Sequence, residues 1–333
     1  MKSNDRAGLG KDDEGFISKE GFDFPAIVNI CVIRGPCPCE CVHCPIGLTP
    51  KGKRNEKFGF ETMSLSLFKK IVDEIAQHPQ SAVRIHAVGE PLLWKELTNA
   101  LEYLKKKNIK GWIFTSAVTT DPAVLEKMIE CCSIVEVSVN SISAPDYKNT
   151  KGIDEFSLVE RNIKHMADYV KKHKLKTRLL ASRVESTDSK KDEEFVKYWS
   201  NTGLLSDTFI RSYHNYNNVL PCKGDEKETN TITCLVHWSR FNIDANGDAV
   251  VCFNELFKGP RVQKEFVLGN INIDKIYDIW HGNKLYKIRQ AQLRKDYAIV
   301  DFAKELPCVK CTSCQPLSSL RPTSDTQLKK LGC

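Results

Sequence analysis

The 333-residue chain has no apolar run long enough to cross a bilayer, and no apolar segment behind its polar start, Met1-Lys-Ser-Asn-Asp-Arg6. A membrane helix needs about 20 apolar residues in succession and a secretory leader an apolar core of about 7–15. A cytoplasmic protein is therefore expected. Strong charge of either sign is also missing: 49 Lys and Arg stand against 42 Asp and Glu, a formal net charge of +7. Lysine runs such as Lys105-Lys106-Lys107 and Lys171-Lys172 fall where helices should end, where they match the helix dipole. No basic stripe interleaved with aromatic residues supports nucleic-acid binding, and an anionic small molecule or a peptide suits the charge equally well. A disulfide framework is not expected either, because a reducing compartment keeps thiols free. Fourteen cysteines then point to metal or redox chemistry.

Four of those cysteines lie in Arg34-Gly-Pro-Cys37-Pro-Cys39-Glu-Cys41-Val-His43-Cys44-Pro45. Cys37, Cys41 and Cys44 have the spacing C-x3-C-x2-C, with Cys39 as a further thiol inside it. Soft thiolates on one short loop suit an iron–sulfur cluster, zinc or copper(I). Three of them fill three corners of a cubane cluster and leave the fourth iron open to chelate a small molecule. Zinc is the competing reading, although zinc sites usually pair two separate C-x2-C knuckles. Cys31, Cys131 and Cys132 stand apart and read as buried, inert thiols.

Residues 1–22 read as a loose charged arm, 23–215 as the main domain and 216–333 as a cysteine-rich module. An apolar run at 26–33 feeds the cysteine loop as a first buried strand, and 46–61 is a polar connector. Strand patterns at 82–88, 111–115, 134–139, 177–181 and 208–212 then alternate with helical patterns at about 63–78, 92–107, 122–131, 155–173 and 190–202. Six strands and five helices in alternation imply an α/β fold with a parallel sheet curled into a partial or full barrel. Chemistry in such barrels gathers at the C-terminal ends of the strands. The cysteine loop falls there, as do Gly89-Glu90-Pro91, Thr115-Ser116, Ser138-Val-Asn140, Arg183 and Arg211.

After about residue 222 the alternation stops. Asp244-Ala-Asn-Gly247 reads as the turn of a hairpin that holds Cys234 near Cys252. A helix is expected near 274–292, followed by Cys308-Val-Lys-Cys311-Thr-Ser-Cys314. Four thiolates from a hairpin and a C-x2-C pair fit zinc and iron–sulfur alike.

The first loop, with the ring-bearing His43 before its third cysteine, resembles the signature of the radical S-adenosylmethionine (SAM) superfamily. The resemblance implies a (β/α)6 partial barrel with Cys37, Cys41 and Cys44 on a [4Fe–4S] cluster and SAM's amino and carboxylate groups on the open iron. Ala87-Val-Gly-Glu-Pro91 is similar to the family's Gly-Gly-Glu-Pro motif, with Val88 in place of the first glycine, and implies that Glu90 and the backbone receive SAM's ammonium. Ser138 matches the family's ribose-contacting serine, with Asn140 where Asp is common; Thr115-Ser116 stands where relatives carry Thr-Asn. Arg183 or Arg211 would hold SAM's carboxylate or an anionic substrate. The pattern C-x12-G-x4-C, then Leu268-Gly-Asn-Ile271, Ile279-Trp280 and C-x2-C, resembles the SPASM and shorter twitch extensions. It implies one auxiliary [4Fe–4S] cluster on Cys234, Cys252, Cys308 and Cys311, with Cys314 as a spare. The two-cluster pattern C-x2-C-x5-C-x3-C is not met, since only Cys333 follows Cys314.

The expected activity is reductive cleavage of SAM and hydrogen abstraction from a small hydroxylated metabolite, a sugar or aminocyclitol, with the auxiliary cluster taking the second electron. Phe253 stands where related epimerases carry a hydrogen-donating cysteine, which disfavours epimerisation; with the auxiliary cluster as electron acceptor, oxidation is placed ahead of epimerisation or dehydration. A peptide maturase is the alternative enzyme, and an iron–sulfur or zinc protein that binds a partner the alternative outside catalysis. A flavodoxin or ferredoxin would supply electrons.

Overall fold

The computed structural model describes residues 23–221, 234–303 and 305–311. Cys222, Cys314, Cys333 and the expected arm at 1–22 lie outside the described residues. Six strands, β1 (Ile27–Arg34), β2 (Ala82–Val88), β3 (Lys110–Thr115), β4 (Ile134–Val137), β5 (Arg178–Val184) and β6 (Asp207–Arg211), pair in parallel in sequence order. Amphipathic helices return the chain between them. Leu65–Ile75 starts at Ser64, whose hydroxyl accepts from Leu67 N–H, and buries Leu67, Phe68, Ile71, Val72 and Ile75 on one stripe. Pro122–Cys131 starts on an Asp121 cap with proline in its first turn.

Every residue of β1 is buried, because helices cover one face and the curled sheet covers the other. On the concave face Ile27, Ala82, Trp112, Ile134, Leu180 and Phe209, one from each strand, form a single apolar cluster. The structure is thus the expected α/β partial barrel.

The cysteine-rich module extends the same sheet. Strand β7 (Arg240–Ile243) pairs in parallel with β1, then β8 (Asp248–Val250) and β9 (Val267–Asn270) add antiparallel, giving the open order β6-β5-β4-β3-β2-β1-β7-β8-β9. The expected hairpin around Gly247 is β7–β8, with Gly247 at φ +92° and its N–H bonded to Asp244 O at 2.9 Å. Arg34 locks this seam. Its guanidinium is fully buried, pairs with Asp244 at 2.6 Å and donates to the carbonyls of Phe58, Leu256 and Gly259.

Several local expectations are corrected. The helix expected at 274–292 is two, Ile276–Trp280 and Asn283–Arg294, broken where Gly282 takes extended geometry as the second helix's cap. The connector 46–61 contains the short helix Arg54–Phe58. A further helix, Ala144–Lys151, follows β4 and went unread because it buries only Tyr147 and Lys151. Strand β5 runs on to Val184, so Arg183 lies inside it, opposite Ile210 of β6, instead of following it.

Candidate functional site

The cysteine loop leaves the C-terminal end of β1 and is fastened on three sides. Gly35 N–H donates to Val88 O at 2.7 Å and Glu90 N–H to Pro36 O at 2.9 Å, which ties the loop's start to the end of β2. On the second side, Glu40 and Val42 N–H donate to the carbonyls of Lys151 and Thr150 at 2.8 and 3.1 Å. These are the last carbonyls of the helix Ala144–Lys151, which lack partners within it. On the third, buried Arg54 donates to Cys37 O at 2.6 Å and Thr49 O at 3.0 Å. Gly47 lies so close over Cys41 that a Cβ would stand 2.2 Å from Cys41 O.

Within this clamp Cys39 is buried and its thiol hydrogen-bonds those of Cys37 and Cys41. Cys44 interacts with Cys41 and hydrogen-bonds Tyr216. The Cys41 thiol also meets the ammonium of Lys151. His43 is half-buried beside them. Cys31, Cys131 and Cys132 are indeed buried, and desolvation raises the pKa of each.

Glu90 is buried at the end of β2, and its carboxylate accepts from the Thr115 hydroxyl at 2.7 Å, the Ser116 hydroxyl at 2.6 Å, Ser116 N–H at 2.8 Å and Leu92 N–H at 3.2 Å. Thr115-Ser116 thus serves to hold Glu90. Ser138 is half-buried on the rim, and its hydroxyl accepts from Asn140 Nδ2 at 2.8 Å. Asn140 takes the left-handed φ of +61° and its Oδ1 accepts from Val184 N–H at 2.7 Å, so it stitches β4 to β5. Arg183 does not converge with these groups. Its guanidinium is taken up by Asp192 at 3.0 Å, Asp146 at 3.1 Å and the Asn140 carbonyl. Arg211 forms a two-pronged pair with buried Glu136 at 2.7 and 2.6 Å.

The concave face beneath the rim is lined by rings. Trp112 stacks on Phe114 at 5.1 Å, Phe114 on His86 at 4.6 Å, and His86 meets Phe253 at 4.9 Å. Arg84 lies over Trp112 and Arg211 over Phe114. Burial, with Arg84, Arg211 and Arg240 nearby, holds the pKa of His86 well below the usual imidazole range. Burial and the same Arg240 and Arg211 hold His214 at about 4, and its Nδ1 accepts from Tyr216 N–H at 3.1 Å, leaving Nε2 as the donor. Both rings are neutral near pH 7, so they offer hydrogen bonds without charge.

A folded-state pKa below the ordinary 6.5 means that the unfolded chain takes the proton first as pH falls. Stability associated with His214 is therefore complete above pH 6.5 and lost progressively down to about 4, with an upper limit of about 3.5 kcal/mol at about 1.4 kcal/mol per unit. Melting temperature followed from pH 7 to 4.5 should fall, and His214→Gln should fall less steeply; parallel curves would refute the assignment.

The second thiol set gathers at the far edge of the seam. Cys308 interacts with Cys234, Cys252 and Cys311, and burial raises the pKa of both Cys252 and Cys308. His237 braces the set: it donates from Nε2 to Val251 O at 3.0 Å and accepts at Nδ1 from Gln292 at 2.7 Å, while the Gln292 oxygen accepts from Trp238 Nε1 and Cys234 N–H. Cys308 Sγ lies 3.9 Å from His237 Nε2. Rings connect the two sets, since Tyr216 packs on Phe257 at 4.6 Å and Phe257 on Phe253, the neighbour of Cys252. Among the described residues no three His, Cys, Asp or Glu side chains close tightly enough to hold a single metal ion. No helix among them is long and apolar enough to cross a membrane.

Sequence reasoning passed over Lys151, Tyr216, His86 and His214. The alternation of β2 could have flagged His86, which shares a face with Arg84, whereas a lysine in a lysine-rich chain carries no signal.

Comparison with known proteins agrees with this layout. Residues 234–315 match the model for the SPASM iron–sulfur cluster-binding domain. No curated protein sequence matches the chain. Among solved structures, SuiB of Streptococcus suis bound to its precursor peptide SuiA superposes with a TM-score of 0.64 at 15% identity, over 88% of this chain and 76% of that one. BtrN in complex with AdoMet and 2-DOIA gives 0.54 at 16%, over 90% and 96%. The AdoMet-bound anSMEcpe gives 0.59 at 16%, over 92% and 95%. At such identities the likeness is one of fold. The chain has the radical SAM fold followed by a SPASM segment, as its motifs suggest.

Proposed function

We propose that the protein is a radical SAM enzyme in which Cys37, Cys41 and Cys44 hold the SAM-binding [4Fe–4S] cluster and Cys234, Cys252, Cys308 and Cys311 hold one auxiliary [4Fe–4S] cluster. The observation that carries it is a three-thiol loop clamped to the C-terminal rim of a parallel sheet, with a second thiol set on the same sheet. Soft sulfur donors suit iron–sulfur clusters. When bound and reduced, the first cluster supplies the electron that cleaves SAM's sulfonium to methionine and a hydrogen-abstracting 5′-deoxyadenosyl radical. Here the chain's own residues bind, orient and exclude water.

Glu90 is the group nearest in kind to the family's ammonium acceptor, and it comes pre-aimed by Thr115 and Ser116. His43 would flank SAM, and Ser138 on the rim would meet its ribose. Arg183 is given a bracing role instead, because two carboxylates already occupy it. The substrate chamber is the ring-lined face with His86, Phe114, His214 and Phe253. Uncharged imidazoles between aromatic faces suit hydroxyl groups on a compact carbon skeleton, so the reading is a small hydroxylated metabolite. Phe253, packed on His86, puts no thiol next to Cys252, which favours oxidation, with flavodoxin or ferredoxin as electron source. Modification of a peptide is the second reading, favoured by the likeness to SuiB bound to its precursor peptide.

Anaerobic reconstitution should load about eight irons per chain and release 5′-deoxyadenosine when SAM and reductant are added. Replacing Cys37, Cys41 and Cys44 together by alanine should leave about four irons and no SAM cleavage, whereas Cys39→Ser should keep both. Zinc in place of iron, or cleavage that survives the triple change, would refute the reading.

A further inference from the structure

Lys151 is 2% exposed, at the end of the helix Ala144–Lys151. Its ammonium lies beside the Cys41 sulfur and interacts with Cys37, Cys39 and Tyr147. Among the described residues no carboxylate forms an ion pair with it, whereas Arg34 has Asp244 and Arg183 has Asp146 and Asp192; buried Arg54, which also lacks a carboxylate, spends its donors on the carbonyls of Cys37 and Thr49. An isolated ammonium out of water is costly, and a buried charge persists only where an opposite charge answers it. The groups it faces are sulfurs and the Tyr147 hydroxyl, which burial keeps protonated. Neutral thiols would leave it uncompensated; thiolates holding an anionic centre would not.

Helix polarity sharpens the point. The loop docks on the helix's C-terminal carbonyls, which accept from Glu40 and Val42. A helix C-terminus carries about half a negative charge, the wrong sign to sit beneath an anionic cluster. Gly152, at φ +70°, fixes this approach, because a Cβ there would lie 2.6 Å from Glu40 Cβ. The backbone thus requires the unfavourable end of the helix at this place, and Lys151 restores a positive charge where the dipole removes one.

From this geometry we infer that Lys151 is the fixed counter-charge of the Cys37–Cys44 loop, a positioning residue that sets how firmly the loop retains its cluster and how readily that cluster is reduced. The inference rests on the function proposed above. A nearby positive charge stabilises the more negative, reduced state, so its removal lowers the reduction potential.

The test is redox titration of the reconstituted wild type, Lys151→Met and Lys151→Arg, following the reduced cluster by electron paramagnetic resonance with iron content measured in parallel. To isolate this centre, Cys234, Cys252, Cys308 and Cys311 are replaced by alanine in all three. Lys151→Met should be reduced at a potential more negative by at least about 59 mV, a tenfold lower ratio of reduced to oxidised cluster at a fixed potential, and Lys151→Arg should stay with the parent. Loss of iron from the methionine variant alone, restored by arginine, equally requires the charge. An unshifted potential in fully loaded Lys151→Met would overturn the inference, as would equal loss of iron from both variants, which marks a packing role. The unaltered chain is reconstituted alongside; if it takes up no iron the proposed function is refuted instead, and so the two failures are told apart.

Discussion

Asp244→Ala is expected to cost about 3–5 kcal/mol of unfolding free energy, the usual penalty for leaving one member of a buried ion pair alone. The pair spans 2.6 Å with both side chains sealed from solvent. Burial pushes the Asp244 carboxyl up, and Arg34 only partly offsets this. The pair therefore gives position more than net stability. Arg34→Met should be worse than Asp244→Ala, because Arg34 also satisfies the carbonyls of Phe58, Leu256 and Gly259 and each orphaned acceptor adds about 1–3 kcal/mol. Denaturant titration gives the order. If the two variants are equally stable, or within about 1 kcal/mol of wild type, the seam is not held by this residue.

Gly89→Ala should disable the SAM site while leaving the second thiol set loaded. Gly89 has φ +151°, and a Cβ would stand 2.2 Å from Pro36 O. Backbone lies on both sides of that clash, so relief requires moving the segment that enters the cysteine loop. Left-handed strain alone costs about 1–2 kcal/mol, and displacement of the Glu90–Pro36 hydrogen bond adds to it. Iron should fall from about eight to about four per chain, with SAM cleavage lost. Gly52→Ala is the control, since nothing lies within 4 Å of its Cβ position. Full iron and unimpaired cleavage in Gly89→Ala would show that the loop does not depend on this contact.

Much of this architecture was legible because each β-α unit writes its own signal. The apolar run of β1 and the helix stripe Leu67, Phe68, Ile71, Val72 and Ile75 are local patterns, and burial follows from them directly. The cysteine spacings were legible for the same reason. Longer-range matters were not. Nothing local in Arg240–Ile243 says that it pairs with β1 rather than with its hairpin partner alone. Arg183 looked free at a strand end, but its partners Asp146 and Asp192 come from helices on either side of β5. Ala144–Lys151 hid because a helix that buries two side chains has no apolar face to detect, and the buried lysine at its end looked like any surface lysine.

Because β1 bonds to β2 on one edge and to β7 on the other, the strand that launches the cysteine loop is shared property. Neither part is complete without it: the barrel would end on a bare edge, and the hairpin would lose the strand it lies against. In recombination between relatives the cysteine-rich segment is then not a cassette that can be exchanged by itself. A viable crossover would carry Arg34 and Asp244 from the same parent, so the natural joint between the two parts runs through the first strand and not through the loop that separates them in the chain.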